Sequence, residues 1–184
     1  NLLFMATEDS GLVIVDVLDP QQPSEIGSFR TPSIPFDVKV EGTHAFIAHG
    51  GGLSVIDISH PAQPEEVGTY DSRDRVRSVF LSGDILYAAV RRIGLVAVDI
   101  SNLNRPREVG VLATADTPWD VWVEGYNAYI AVSSEGLQVI NVSDPEQLEN
   151  IGLFTRRGGI PYVEVSGDYA YILGKGFLRI LDIS

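Results

Sequence analysis

The feature that most constrains this chain is a repeat. The segment Gly-Leu-Val-Ile-Val-Asp-Val at Gly11–Val17 returns at Gly52–Ser59, Gly94–Ser101 and Gly136–Ser143, and in degenerate form at Phe177–Ser184. The last acidic or amide position of the copies falls at Asp16, Asp57, Asp99, Asn141 and Asp182, so the steps are 41, 42, 42 and 41 residues. A fixed period of this size specifies a solenoid, a propeller or an array.

The interior of one period decides among them. Phe36–Val40 alternates apolar and polar residues and meets a Glu41-Gly42-Thr43 turn. His44–Ala48 follows, then the Gly50-Gly51-Gly52 hairpin turn, then Leu53–Ile58, a proline-rich turn at Ser59–Pro64, and Glu65–Tyr70. Short alternating runs separated by turn residues are antiparallel strands. No stretch carries a helical period. Four strands, here A to D, in each repeat of about 42 residues predict an all-β fold, a β-propeller of four-stranded antiparallel blades. A β-solenoid is the second reading, though its coils are shorter and less hairpin-like. The chain then divides into a partial blade at 1–33, complete blades at 34–74, 75–116 and 117–158, and a partial blade at 159–184. The first partial blade has B, C and D; the last has A, B and C. That is expected of an irregular five-bladed ring or, better, of a fragment of a larger propeller.

Bulk properties narrow the function. The 184 residues carry a formal net charge of −12, which argues against general nucleic-acid binding and against adhesion to anionic lipid. The absence of cysteine excludes disulfides, thiolate metal sites and a cysteine nucleophile. No apolar run approaches the roughly 18–20 residues of a membrane helix, so membrane insertion is not expected. His44, His49 and His60 are scattered, without the spacing of a metal site. No nucleophile elbow, P-loop or dinucleotide fingerprint is present, and no cofactor is expected.

The loops divide by charge. In a propeller the D–A and B–C connections share one face, which here collects Arg30, Arg73, Arg75, Arg77, Arg91, Arg92, Arg156, Arg157 and Lys175 among several acids. The opposite loops are mostly acidic. Strict alternation places Phe36, Arg77, Trp119 and Pro161 at equivalent heights on the A strands, with Asp37, Ser78, Asp120 and Tyr162 beside them. An arginine among aromatics and carboxylates suits an anionic or planar ligand, or a partner's side chain. A structural ion pair of Arg77 with Asp37, Asp74 or Asp120 is the plainer alternative. The recurring Asp16, Asp57, Asp99 and Asp182 are expected to accept backbone N–H bonds in the turn that follows, as Asn141 also can.

The repeated Gly-Leu-Val-Ile-Val-Asp-Val segment, together with Pro-(Phe/Trp)-Asp-Val at Pro35–Val38 and Pro118–Val121, resembles the LVIVD repeat family over nearly the whole chain. The resemblance implies a β-propeller found largely in secreted or surface proteins of bacteria and archaea, without catalytic residues to carry over. Asn141, Phe177 and Arg77 depart from the pattern. The resulting expectation is a non-catalytic module binding protein or glycan at the cell surface. Its site is placed at Phe36, Asp37, Arg77, Arg91, Arg92, Trp119, Asp120 and Tyr162. A hydrolase or lyase using Asp37 or Asp120 as base, and a purely structural spacer, are the alternatives.

Overall fold

The computed structural model describes residues 1–133, 136–155, 159–174 and 176–184. Glu135, Arg156, Arg157 and Lys175 therefore lie outside the described residues. Among the described residues every regular element is a β-strand, in five sheets of consecutive strands. The first sheet holds β1 (Leu2–Thr7), β2 (Gly11–Asp16) and β3 (Ser24–Phe29). The second holds β4 (Pro35–Glu41), β5 (His44–His49), β6 (Gly52–Asp57) and β7 (Glu65–Asp71). The third holds β8 (Val76–Ser82), β9 (Ile85–Val90), β10 (Gly94–Asp99) and β11 (Arg107–Leu112). The fourth holds β12 (Pro118–Glu124), β13 (Asn127–Val132), β14 (Gly136–Asn141) and β15 (Glu149–Thr155). The last holds β16 (Tyr162–Ser166), β17 (Tyr169–Gly174) and β18 (Phe177–Asp182).

The chain forms two compact units. One contains residues 1–76 and 102–106, the other 77–101 and 107–184. Within each, one rule builds the core. A sheet covers both its faces by stacking on its neighbours, so its middle strands are apolar throughout: β5, β9 and β13 are almost wholly buried. In the first unit Phe4, Leu12 and Ile14 of one sheet meet Ala45, Ile47 and Ile56 of the next. In the second, Tyr87, Leu95 and Ala97 meet Val121, Ile130 and Ile140. Tyr129, Ala131 and Leu137 in turn meet Val163, Val165 and Ile172. The same strand positions recur at each junction. Each fully buried Leu or Ile contributes about 1.5–3 kcal/mol through apolar burial.

Two features account for the repeat's conserved spelling. The acid or amide ending each C strand accepts the N–H two residues later: Asp16 from Leu18 at 2.8 Å, Asp57 from Ser59 at 2.8 Å, Asp99 from Ser101 at 2.9 Å, Asn141 from Ser143 at 2.9 Å and Asp182 from Ser184 at 3.0 Å. Hydrogen bonding, not charge, is what this position requires, and Asn141 meets it.

The glycines of the D strands answer to a different need. Each follows a bulged residue, Ile26, Val67, Val109 or Ile151, where the register to the C strand shifts. A Cβ on Gly27, Gly68 or Gly110 would overlap a carbonyl oxygen: that of Pro61, Leu103 or Pro145 respectively. Each is the oxygen of the C–D turn belonging to the following repeat. The glycine is a socket for the neighbour's backbone, not a turn former.

Candidate functional site

The A strands position the residues singled out in the sequence, but not in strict alternation. The register of β4 on β5 shifts between Pro35 and Asp37, and that of β12 on β13 between Pro118 and Asp120. Phe36 and Trp119 are thus the extra residues of β-bulges, pushed outward where alternation alone would have set them in a ladder. Both are exposed, Phe36 at 37% and Trp119 at 39%.

In the first unit the Arg75 guanidinium lies over the Phe36 ring, 4.9 Å from its centroid. Asp37 accepts the Val38 N–H at 2.8 Å and has the Lys39 ammonium at 3.7 Å.

In the second unit the Arg77 guanidinium stacks on Trp119 at 3.7 Å from the ring centroid. A cation over an indole face is attracted by the ring quadrupole, by about 0.5–2 kcal/mol depending on solvation. Asp120 is committed to the scaffold. One oxygen accepts the Ser78 hydroxyl at 2.6 Å and the Val121 N–H at 3.0 Å, and the other accepts the Val163 N–H at 3.0 Å. It links β8, β12 and β16, three successive A strands. A carboxylate holding two backbone N–H groups and a hydroxyl is a poor reservoir for a substrate proton. Asp120 is a fastener here, and the expectation that it contacts a ligand gains no support from this geometry.

Beside the Trp119 bulge an open hollow of about 330 Å3 is bordered by Trp119, Ser133, Gly159, Ile160, Pro161, Tyr162, Leu173 and Gly174. Its walls are mainly apolar, and Tyr162 stands 61% exposed at its rim. Sequence reasoning found Trp119 and Tyr162, but not the floor. Ser133 and the Leu173-Gly174 pair come from the B–C side of two different sheets, and no local pattern marks them. Arg91 and Arg92 occupy the hairpin between β9 and β10, and Arg92 is held in the left-handed region at φ 61°. Phe36 and Asp37 belong to the other unit. Within the second unit, Trp119 and Tyr162 border the hollow, Arg77 stacks on Trp119, and Asp120 anchors their strands.

A second polar cluster escaped the sequence reading. His49 is buried, with only 6% of its surface exposed. Its Nδ1 accepts the Gly51 N–H at 3.1 Å and lies 3.1 Å from the Ser33 hydroxyl. Its Nε2 lies 3.3 Å from the Ser54 hydroxyl, which donates to Glu66 at 2.7 Å. Because Gly51 donates to Nδ1, the ring carries its proton on Nε2. Burial holds the imidazole below its ordinary pKa, with Glu66 opposing. The same slots are Val90 and Val96 in the third repeat. The cluster ties the 31–34 connection to the 49–52 hairpin.

These sheets and junctions define an all-β repeat protein. The LVIVD repeat matches residues 1–31, 36–72, 75–114, 117–154 and 159–184. The chain belongs to the LVIVD repeat family. Among solved structures it is similar to the computationally designed Ika8 protein, with a TM-score of 0.80 and 12% identity, covering 100% of this chain. It spans only 56% of that protein's length. It is also similar to the computationally designed Ika4 protein, with a TM-score of 0.72 and 11% identity over 88% of this chain and 99% of that one. At such identities the likeness concerns the fold alone. The sequence matches none of the curated proteins.

Proposed function

We propose that this chain is a non-catalytic binding module whose sheets are blades of a β-propeller. Its partner is a protein segment that inserts an apolar side chain into the hollow beside Trp119. The carrying observation is the pairing of an exposed tryptophan and tyrosine around an apolar hollow of about 330 Å3. That size and lining suit an anchor residue of a partner. A sugar also stacks on aromatics, but needs several polar groups for its hydroxyls, and the walls supply chiefly Ser133 and the Tyr162 hydroxyl. This favours a peptide over a glycan. Arg77, stacked on Trp119, holds the indole in place beside the anchor. Placement at a prokaryotic cell surface rests on the family resemblance.

A displayed random-peptide library, selected on the chain and counter-selected on Trp119→Ala and Tyr162→Ala, tests the reading. Enrichment of an apolar anchor residue, lost on both variants, is expected. Peptides that bind parent and variants alike, or recovery only on a glycan array, would refute it.

A further inference from the structure

We infer that Asn141 is an acceptor for an N-linked glycan. Four of the five C strands end in aspartate and this one alone in asparagine. In the second, third and last repeats the strand end reads Asp-Ile-Ser, at Asp57–Ser59, Asp99–Ser101 and Asp182–Ser184; here it reads Asn141-Val142-Ser143. One amide in place of a carboxylate thus turns the repeat's own spelling into Asn-X-Ser, the acceptor tripeptide of N-glycosylation. None of the other asparagines, Asn1, Asn102, Asn104, Asn127 and Asn150, has a serine or threonine two residues on.

The turn does not call for the amide. Asn141 Oδ1 accepts the Ser143 N–H at 2.9 Å and the Ser143 hydroxyl at 2.7 Å. Asp99 takes the same two donors from Ser101 at 2.9 and 2.6 Å, and Asp182 from Ser184 at 3.0 and 2.8 Å. Charge does not call for it either: Asn141 pairs with Glu149 across the strands, but Asp57 pairs with Glu65 in the same way. What asparagine adds to the slot is Nδ2, and among the described residues nothing hydrogen-bonds that nitrogen. The third-position hydroxyl lies on the same carboxamide.

The fold leaves room for the substituent. Asn141 is half-buried, with Ser143 and Glu149 exposed beside it. It closes β14 at the end opposite Ser133, the length of the strand or about 17 Å away, so a glycan there leaves the hollow open. Val142 is buried, with its N–H on the Tyr126 carbonyl at 2.8 Å and its own carbonyl taking the Tyr87 hydroxyl at 3.3 Å. The tripeptide is therefore open to an enzyme before this junction closes, and attachment occurs on the emerging chain. The donor is an oligosaccharide carried on a lipid pyrophosphate. Nδ2 bonds to the anomeric carbon, the bond from that carbon to the pyrophosphate oxygen breaks, and the lipid pyrophosphate leaves with the electron pair. One Nδ2 proton passes to a base of the transferase. Such transfer belongs to exported chains, so the assignment rests on the surface placement proposed above.

Secretion of the 184-residue chain from a eukaryotic host that modifies Asn-X-Ser tests this, read by intact mass and peptide mapping. Asn141→Asp and Ser143→Ala are secreted beside it. The first keeps the turn as the other repeats make it, the second keeps the N–H that the turn uses, and circular dichroism verifies both folds. The secreted parent is expected above its 20.0 kDa, with the added mass on Asn141. Peptide N-glycosidase is expected to remove that mass and convert the residue to aspartate. Both variants are expected in the medium at their unmodified masses. A parent secreted wholly unmodified would overturn the inference. So would added mass that persists in both variants, which would place the sugar on a hydroxyl elsewhere. The host itself supplies the exterior placement and the hollow's residues are untouched, so failure here leaves both the surface and the peptide-binding readings standing.

Discussion

Gly68→Ala tests the socket reading at a single atom. A Cβ there would overlap the Leu103 carbonyl oxygen and come within 3.0 Å of its carbon and 3.2 Å of Asn104 Cα. All three are backbone, so no rotamer change relieves the clash, and the 102–106 turn must move. Overpacking of this kind costs about 1–3 kcal/mol, against roughly 0.5–1 kcal/mol recovered by replacing a strand glycine with alanine. The same repeat slot supplies an internal control. At Gly152 a Cβ would meet only Val139, at 3.5 and 3.6 Å, an ordinary contact. Gly152→Ala is therefore expected to be neutral or stabilising by up to about 1 kcal/mol. The two variants should differ by roughly 1–3 kcal/mol, or on the order of 2–10 °C in Tm for a chain of this size. Thermal and urea unfolding followed by circular dichroism measure the difference. Equal Tm values, or a larger loss at Gly152 than at Gly68, would refute the idea that these glycines exist to admit the neighbouring turn.

Other outcomes follow from single groups. The folded pKa of His49 lies below its ordinary 6.5 because of burial. Its neutral form thus contributes stability that is complete above pH 6.5 and is lost as pH falls through the lower folded value. Tm should drop from pH 7 to 5 more steeply in the parent than in His49→Val; parallel slopes would show that the imidazole does not titrate against folding. Asp99 is held below the usual carboxylate range first by the Ser101 hydroxyl, and then by the Ser101 N–H. Asp99→Asn should keep the turn, as Asn141 does, whereas Asp99→Ala should cost about 1 kcal/mol, the net worth of a hydrogen bond; equal losses in urea melts would contradict this. Asp120→Ala should destabilise by about 2–4 kcal/mol, because it orphans the Val121 and Val163 N–H groups. An Asp120→Ala chain as stable as the parent would remove its role as a fastener.

The period of the motif made the strands, the turns and the C-strand Asx turns legible, because each is a local property repeated five times. The bulges at Phe36 and Trp119 were not legible. An inserted residue leaves the apolar–polar spelling intact while shifting its phase, so alternation placed those rings one step wrong. Nor could the need for Gly27, Gly68 and Gly110 be read, since it lies in a backbone oxygen about 35 residues away. His49 reads as a loop residue because it precedes three glycines. Only the partners it gains from Ser33, Ser54 and Glu66 make its burial tolerable. The hollow was half visible: its aromatic rim is conspicuous in sequence, but its floor is assembled from three separate segments.

The most direct test of the binding account is an amide and indole NMR titration of the chain with the best peptide from the selection. Trp119 and Trp122 give two indole signals from one strand. Trp119 borders the hollow, while Trp122 packs against Phe80 with ring centroids 5.1 Å apart. The account predicts that the Trp119 indole shifts, together with the amides of Ser133, Gly159, Tyr162, Leu173 and Gly174, while the Trp122 indole stays in place. Shifts centred instead on the Arg91–Arg92 hairpin or on the His49 cluster, with Trp119 unmoved, would contradict it.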